Sequence, residues 1–245
     1  MSLSVALGIA QNSLLNTQRQ INVVSRNISD AANPDYARRS AILSSLAPGS
    51  RIVDIQRATN AALFRQNLSA LSGWTAQNAI VAGMEQLSIS VLGVENASSP
   101  AVLIGDLQEA IQIYSAAPGN RTLAENAVEA ARAVVRSLNE GTAAVQGFRT
   151  DMDKQIATSV DDLNQLLANF KDVNDRIVSG TRAGRDILDE FDQRDALLKK
   201  ISEYVPISTI SRADNDMMIV TADGTTLFET VPRLSLIHIP SPRDS

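Results

Sequence analysis

Leu3, Leu7, Ala10, Leu14, Thr17, Ile21, Val24 and Ile28 recur at alternating spacings of four and three residues, with no charge before Arg19. This is a heptad seam, too narrow to face the core of a globular domain and shaped to be buried against another helix. A lone helix of this length is marginal in water. The pattern therefore predicts a terminal coiled-coil helix over 1–32 that stays frayed until a second helix covers it. Its position at the start of the chain, with no matching partner downstream, points to a contact between subunits.

At 245 residues and 44% apolar the chain can bury a core for one or two domains. Aromatic residues make up only 4%, which suits long helices packed side by side better than a pocket-bearing enzyme core. A net charge of −5 supplies no electropositive field, so no nucleic-acid partner is expected. No run reaches the roughly 18 apolar residues of a membrane span, and no membrane insertion is expected. The N-terminus lacks the basic stretch and compact apolar block of a cleaved signal peptide, so export would follow another route.

Asn33-Pro34 closes the first helix, because proline fixes its own φ and pushes the preceding residue out of the helical region. Residues 33–55 read as an extended linker or short hairpin, with Pro48-Gly49 as a turn. From Ile55, apolar positions including Leu63, Leu68, Trp74, Ile80, Met84 and Val91 return at helical spacing and predict a long second helix, with Trp74 read as partly buried core in preference to a partner anchor. Gly93 to Pro100 reads as a loop, and Ser99-Pro100 as the start of a short helix over Ala101 to Ala116. After the turn Pro118-Gly119-Asn120, a seam close to period 3.5 runs from Leu123 to Ile177, with Thr122 and Glu125 in capping-box positions.

Gly180 to Gly184 is expected to break that helix, and Arg185 to Tyr204 to form another. On it Glu190 precedes Arg194, and Asp195 precedes Lys199, by four residues, the orientation that favours surface ion pairs. Beyond Pro206 the runs Ile207 to Ser211, Met217 to Thr221 and Thr225 to Phe228 are short, β-prone and separated by Asp-Asn and Asp-Gly turns. So few strands cannot make their own core, so 206–233 reads as the truncated start of a β domain. The fold class predicted is mainly α: the heptad helix, the linker, an elongated helical-bundle domain of long antiparallel helices over 56–205, and then that β part. Residues 234–245 resemble the in-frame translation of a transposon-end sequencing adapter, and native sequence is expected to end at Arg233.

No catalytic, cofactor or metal site is expected. Cysteine is absent and the sole histidine, His238, lies in that tail, so the usual nucleophile–base pairs and soft-metal sites cannot be built. Asp151/Asp153 and Asp161/Asp162 are too closely spaced to share a helix face and read as solvated surface. The acidic run Asp186, Asp189, Glu190, Asp192, Asp195 lacks the alternate-residue oxygens and central glycine of a calcium loop. Glycosylation-type triplets at Asn27, Asn67, Asn96 and Asn120 read as chance matches.

Val24-Ser25-Arg26-Asn27-Ile28-Ser29-Asp30, followed by Pro34-Asp35-Tyr36-Ala37-Arg38-Arg39, resembles the end of the first helix and the Gly-Tyr-x-Arg element of the axial proteins of the bacterial flagellum. Asn27, Tyr36 and Arg38 carry the likeness. Asp35 stands where that family has glycine, so a positive backbone angle there would be less comfortable. Leu188 to Leu198, containing Asp192-Gln193-Arg194-Asp195, looks like an element of the hook-associated members that join hook to filament. The resemblance implies a non-enzymatic, cofactor-free structural subunit, exported through the flagellar type III apparatus with the help of an export chaperone and residing in the extracellular flagellum. It implies partners in copies of itself within a tubular axial assembly, in hook protein and in a second junction protein. Residues 1–39 would carry export and axial packing, through Leu3, Leu7, Ala10, Leu14, Ile21, Val24 and Ile28. The alternatives are a rod or hook protein of the same axial class, a coiled-coil signalling module, or an enzyme.

Overall fold

The computed structural model describes residues 3–45, 50–89 and 97–232. In chain order it contains α1 (Leu3–Ser29), β1 (Arg39–Ser45), β2 (Ser50–Arg57), α2 (Ala61–Leu87), α3 (Pro100–Ala116), α4 (Arg121–Arg182), α5 (Leu188–Tyr204), β3 (Ile207–Ser211), β4 (Met217–Thr221) and β5 (Thr226–Phe228). The mainly helical class and the small β part near the end are as the sequence predicts. The turn at Pro48-Gly49, Val91, the loop residues Gly93 to Asn96 and the tail 234–245 lie outside the described residues.

Contacts group the chain into two compact units, whose boundaries fall inside α2 and α4: residues up to Gly73 together with those from Leu163 onward, and Trp74–Asp162. In the first unit β1 and β2 form an antiparallel hairpin, so of the two readings of 33–55, extended linker or short hairpin, the structure shows the hairpin, whose second strand runs on to Arg57. The second helix consequently starts later than Ile55. Asn60 starts it: its side-chain oxygen accepts the N–H groups of Ala62 and Leu63, each at 3.0 Å, which supplies two of the donors a helix N-terminus leaves unpaired.

The core of this unit joins Leu68 of α2, Leu163, Leu167 and Phe170 of α4, and Leu198 and Ile201 of α5 with Ile207, Ile219, Leu227 and Phe228 of the sheet β3-β4-β5. Phe170 and Phe228 meet edge to face with ring centroids 5.0 Å apart. The strands after Pro206 thus close over the helices and share their core, which is how so small a sheet buries an apolar face.

α4 runs through Gly180 and ends at Arg182, inside the Gly180–Gly184 stretch where the break is predicted. It ends in a Schellman turn, in which Arg185 N–H donates to the Gly180 carbonyl at 2.9 Å and Gly184 N–H to that of Thr181 at 3.1 Å. Gly184 takes the left-handed conformation this requires, with φ of 63°. Gly180 serves packing instead: a Cβ there would lie 2.3 Å from Ile187 Cγ2.

In the second unit, α3 starts as predicted. Ser99 Oγ accepts the Val102 N–H at 3.4 Å and Pro100 occupies the first turn. Ser137 of α4 donates to the Ser98 carbonyl at 2.6 Å. The cap of α4 is Asn120, which accepts from Thr122 N–H at 3.0 Å and Leu123 N–H at 3.4 Å, so Thr122 lies within the helix and Glu125 pairs with Arg121. Trp74, expected in the core, is 65% exposed.

Candidate functional site

α1 carries two stripes. Asn16, Gln20, Val23 and Asn27 form the covered one and lean on the hairpin, whereas the heptad seam, roughly a third of a turn away, stays open. Leu3 is 87%, Leu14 74% and Ile28 71% exposed, and Leu7, Ala10, Ile21 and Val24 are exposed with them. The predicted helix is therefore formed over Leu3–Ser29 with its seam uncovered. The hairpin is shaped to take the other stripe. Val53 is an extra residue between paired positions, and beside this bulge the Ile52 N–H donates to buried Asn16 at 3.2 Å.

Asn27 fastens the end of α1 to the start of β1. Its amide nitrogen donates to the Arg39 carbonyl at 2.9 Å, while its oxygen accepts the Arg39 N–H at 2.9 Å and the Tyr36 hydroxyl at 2.8 Å. Both polar atoms of that side chain are thereby engaged within the fold. The intervening turn is closed by Asn33, whose side chain accepts the Asp35 N–H at 3.0 Å. Asp35 does not adopt a positive φ. Instead it contributes a charge: Lys199 of α5 donates to its carboxylate at 2.8 Å.

α5 holds this arm through an acidic face. Asp189 takes Arg26 of α1 and Arg39 of β1. Asp192 takes Arg39 at 3.2 Å, Arg57 of β2 at 2.7 Å and the Ala37 N–H at 3.3 Å. Asp195 takes Arg57 at 2.6 Å. Beside them, Gln193 accepts from Arg176 of α4 at 2.8 Å, and Arg194 donates to the Asn174 side chain at 3.3 Å and to the Asn215 carbonyl at 2.6 Å. Asn215 and Asp214 both adopt positive φ, 60° and 57°, turning that carbonyl onto the guanidinium. Each residue of Asp192-Gln193-Arg194-Asp195 thus grips another element, and α5 ties the N-terminal arm to α4 and the sheet.

The titration shifts follow the geometry. Burial opposes ionisation of Asp189, but Arg39 and Arg26 outweigh it and hold its carboxyl below the usual range. Burial likewise works against the Arg39 charge, and Asp189 and Asp192 more than offset it, raising its pKa. Arg194 is pushed down to about 10 by burial, with Asp195 favouring and Arg57 opposing its charge. It stays cationic at neutral pH.

Two sequence expectations change here. Arg38 is exposed, and the arginine that enters the cluster is its neighbour Arg39, 4% exposed. The pairs predicted four residues apart on α5 give way to longer connections: Asp195 bonds Arg57, Lys199 bonds Asp35, and Arg194 turns to Asn174 and Asn215. The sequence signal for them is the acidic run itself, which lacks the spacing of a calcium loop and includes Asp192 and Asp195 of the motif. Among the described residues no group of carboxylates or histidines is arranged to hold a metal ion. No described helix is long and apolar enough to cross a membrane.

A heptad helix left uncovered, a hairpin and an arginine–aspartate clamp on a helical body define a mainly helical protein whose charged cluster fastens elements together. The model of the family described as the flagellar hook-associated protein FlgK helical domain matches residues 89–244, and the chain belongs to that family. The matched range takes in most of the tail that the sequence reading set apart as foreign. The fold is similar to that of the flagellar hook junction protein FlgK from Burkholderia pseudomallei, at a TM-score of 0.54 and 15% identity. That match covers 68% of this chain and 29% of the other, so the chain spans less than a third of the length of that relative. No curated protein sequence matches.

Proposed function

We propose that this chain acts as hook-associated protein 1, a structural subunit joining hook to filament in the extracellular flagellum. It is exported by the flagellar type III apparatus and assembled through its terminal helix with copies of itself, hook protein and a second junction protein. In this reading 1–32 is the axial helix, the segment up to residue 55 its mount, and 56–205 with 206–233 the body. Family membership supports the flagellar setting. The observation that carries the assembly role is the open seam: an apolar stripe from Leu3 to Ile28 remains uncovered while the adjacent stripe of the same helix is docked. Exposed apolar surface of this extent marks an interaction face.

Because the chain contains no cysteine, single cysteines report contacts cleanly. Leu14→Cys and Ile21→Cys should form intersubunit crosslinks in assembled protein, while Gln20→Cys on the docked stripe should not. Equal crosslinking at all positions, or none, would refute the assignment of the seam as the packing face. A Leu14→Glu variant should keep the monomer's stability within about 0.5 kcal/mol, as an exposed substitution does, and lose assembly.

A further inference from the structure

Between the start of α2, α5 and the sheet of the first unit lies a groove of about 520 Å³. Its apolar lining includes Phe64, Leu198 and Met217, which are part of the core or packed against it, together with Ala61 and exposed Leu63. Thr209 and Ser211 of β3 line it too, on the same strand face as buried Ile207. β3 is an edge strand of the sheet among the described residues. A volume in this range, with apolar floor and convergent polar groups, is that of a binding groove.

The charge of the lining runs against that of the whole chain. The chain carries −5, yet Arg57, Arg65 and Lys199 face the groove against Asp195 alone. Arg57 is held by Asp192 and Asp195, and Lys199 by Asp35. Arg65, exposed on the first turns of α2, has no ion-pair partner among the described residues. We propose that the groove receives an extended acidic peptide segment of a protein partner, with one apolar side chain on Phe64 and Met217, one carboxylate on Arg65, and its main chain along the outer edge of β3. Strand addition supplies the main-chain hydrogen bonds, and the groove selects alternate side chains. A basic segment would bring like charge to Arg65, the one lining cation without a carboxylate among the described residues, since Arg57 and Lys199 are already paired. The groove lies on the helical body and not on α1, so failure of the seam experiments leaves this proposal standing, and the reverse holds.

The test titrates the full chain with a fluorescein-labelled peptide of alternating valine and glutamate, beside its valine–lysine counterpart. Saturable binding of the glutamate peptide alone is expected, weakened about tenfold by Arg65→Glu and further by salt, with slowed amide exchange at Thr209 to Ser211. Arg65 is exposed, so the variant should retain the parent's circular dichroism spectrum. Absence of saturable binding up to millimolar peptide, equal affinity for both peptides, or binding untouched by Arg65→Glu would overturn the proposal.

Discussion

Asn27 shows how much one side chain can organise. It joins α1, the turn at Tyr36 and the first residue of β1 through three hydrogen bonds. Asn27→Ala should cost about 1–3 kcal/mol, because the buried donors and acceptors around it lose their partner. Asn27→Asp should not restore the loss, since a carboxylate cannot donate to the Arg39 carbonyl; urea unfolding of both variants measures this. Gly180 gives a second prediction. Alanine is the better helix former by about 1 kcal/mol, yet its Cβ would enter Ile187 Cγ2. Gly180→Ala should therefore destabilise by about 1–3 kcal/mol, the cost of overpacking, and Ile187→Ala in the same chain should recover part of it. A more stable Gly180→Ala protein would show that Ile187 is free to move away.

At the scale of elements, the joint between α5 and the N-terminal arm is ionic, and its pH dependence has a definite sign. The Asp189 carboxyl in the folded chain lies below its ordinary value near 4. Its contribution is therefore fully present above that unfolded value and is lost as pH falls through the lower folded one. Asp216, held by Asn174 and Arg212 against the effect of burial, shifts the same way. Urea midpoints should be level from pH 7 to 5 and fall below about pH 4. Asp189→Asn should start lower at pH 7 and show a shallower acid decline. A decline unchanged in that variant would place the acid sensitivity elsewhere.

Local signals were legible at this scale, and distant ones were not. Ser99-Pro100 announced α3, the heptads announced α1 and most of α4, and the Asp-Gly turn announced the approach of β5. What local spacing could not show was that Asp189, Asp192 and Asp195 face arginines more than a hundred positions away, at Arg26, Arg39 and Arg57. Neighbours four apart on α5 offered plausible surface pairs worth a few tenths of a kcal/mol. Partly buried contacts, in which Asp189 and Asp192 each bridge two arginines from other elements, won instead. Trp74 was misplaced for a related reason, because helical periodicity alone does not say which flank of a stripe a neighbour will cover. The Asn27 and Tyr36 positions were legible by resemblance, but the identity of the buried arginine needed the hairpin register.

For the whole molecule, the central claim is that the first helix is mounted by one stripe and offered by another. Its mount is polar and specific, through Asn16, Asn27, Arg26 and the α5 carboxylates. Its offered face is apolar and continuous from Leu3 to Ile28. The mount is concentrated in the second half of α1, and a helix of this length without a covered seam opens readily. Amide hydrogen exchange, measured on the dilute chain and again on assembled material, tests this most directly. The account predicts rapid exchange from Leu3 to about Leu15 in the dilute chain and strong protection after assembly. Strong protection of Leu3 through Ile28 already in the dilute chain would contradict it.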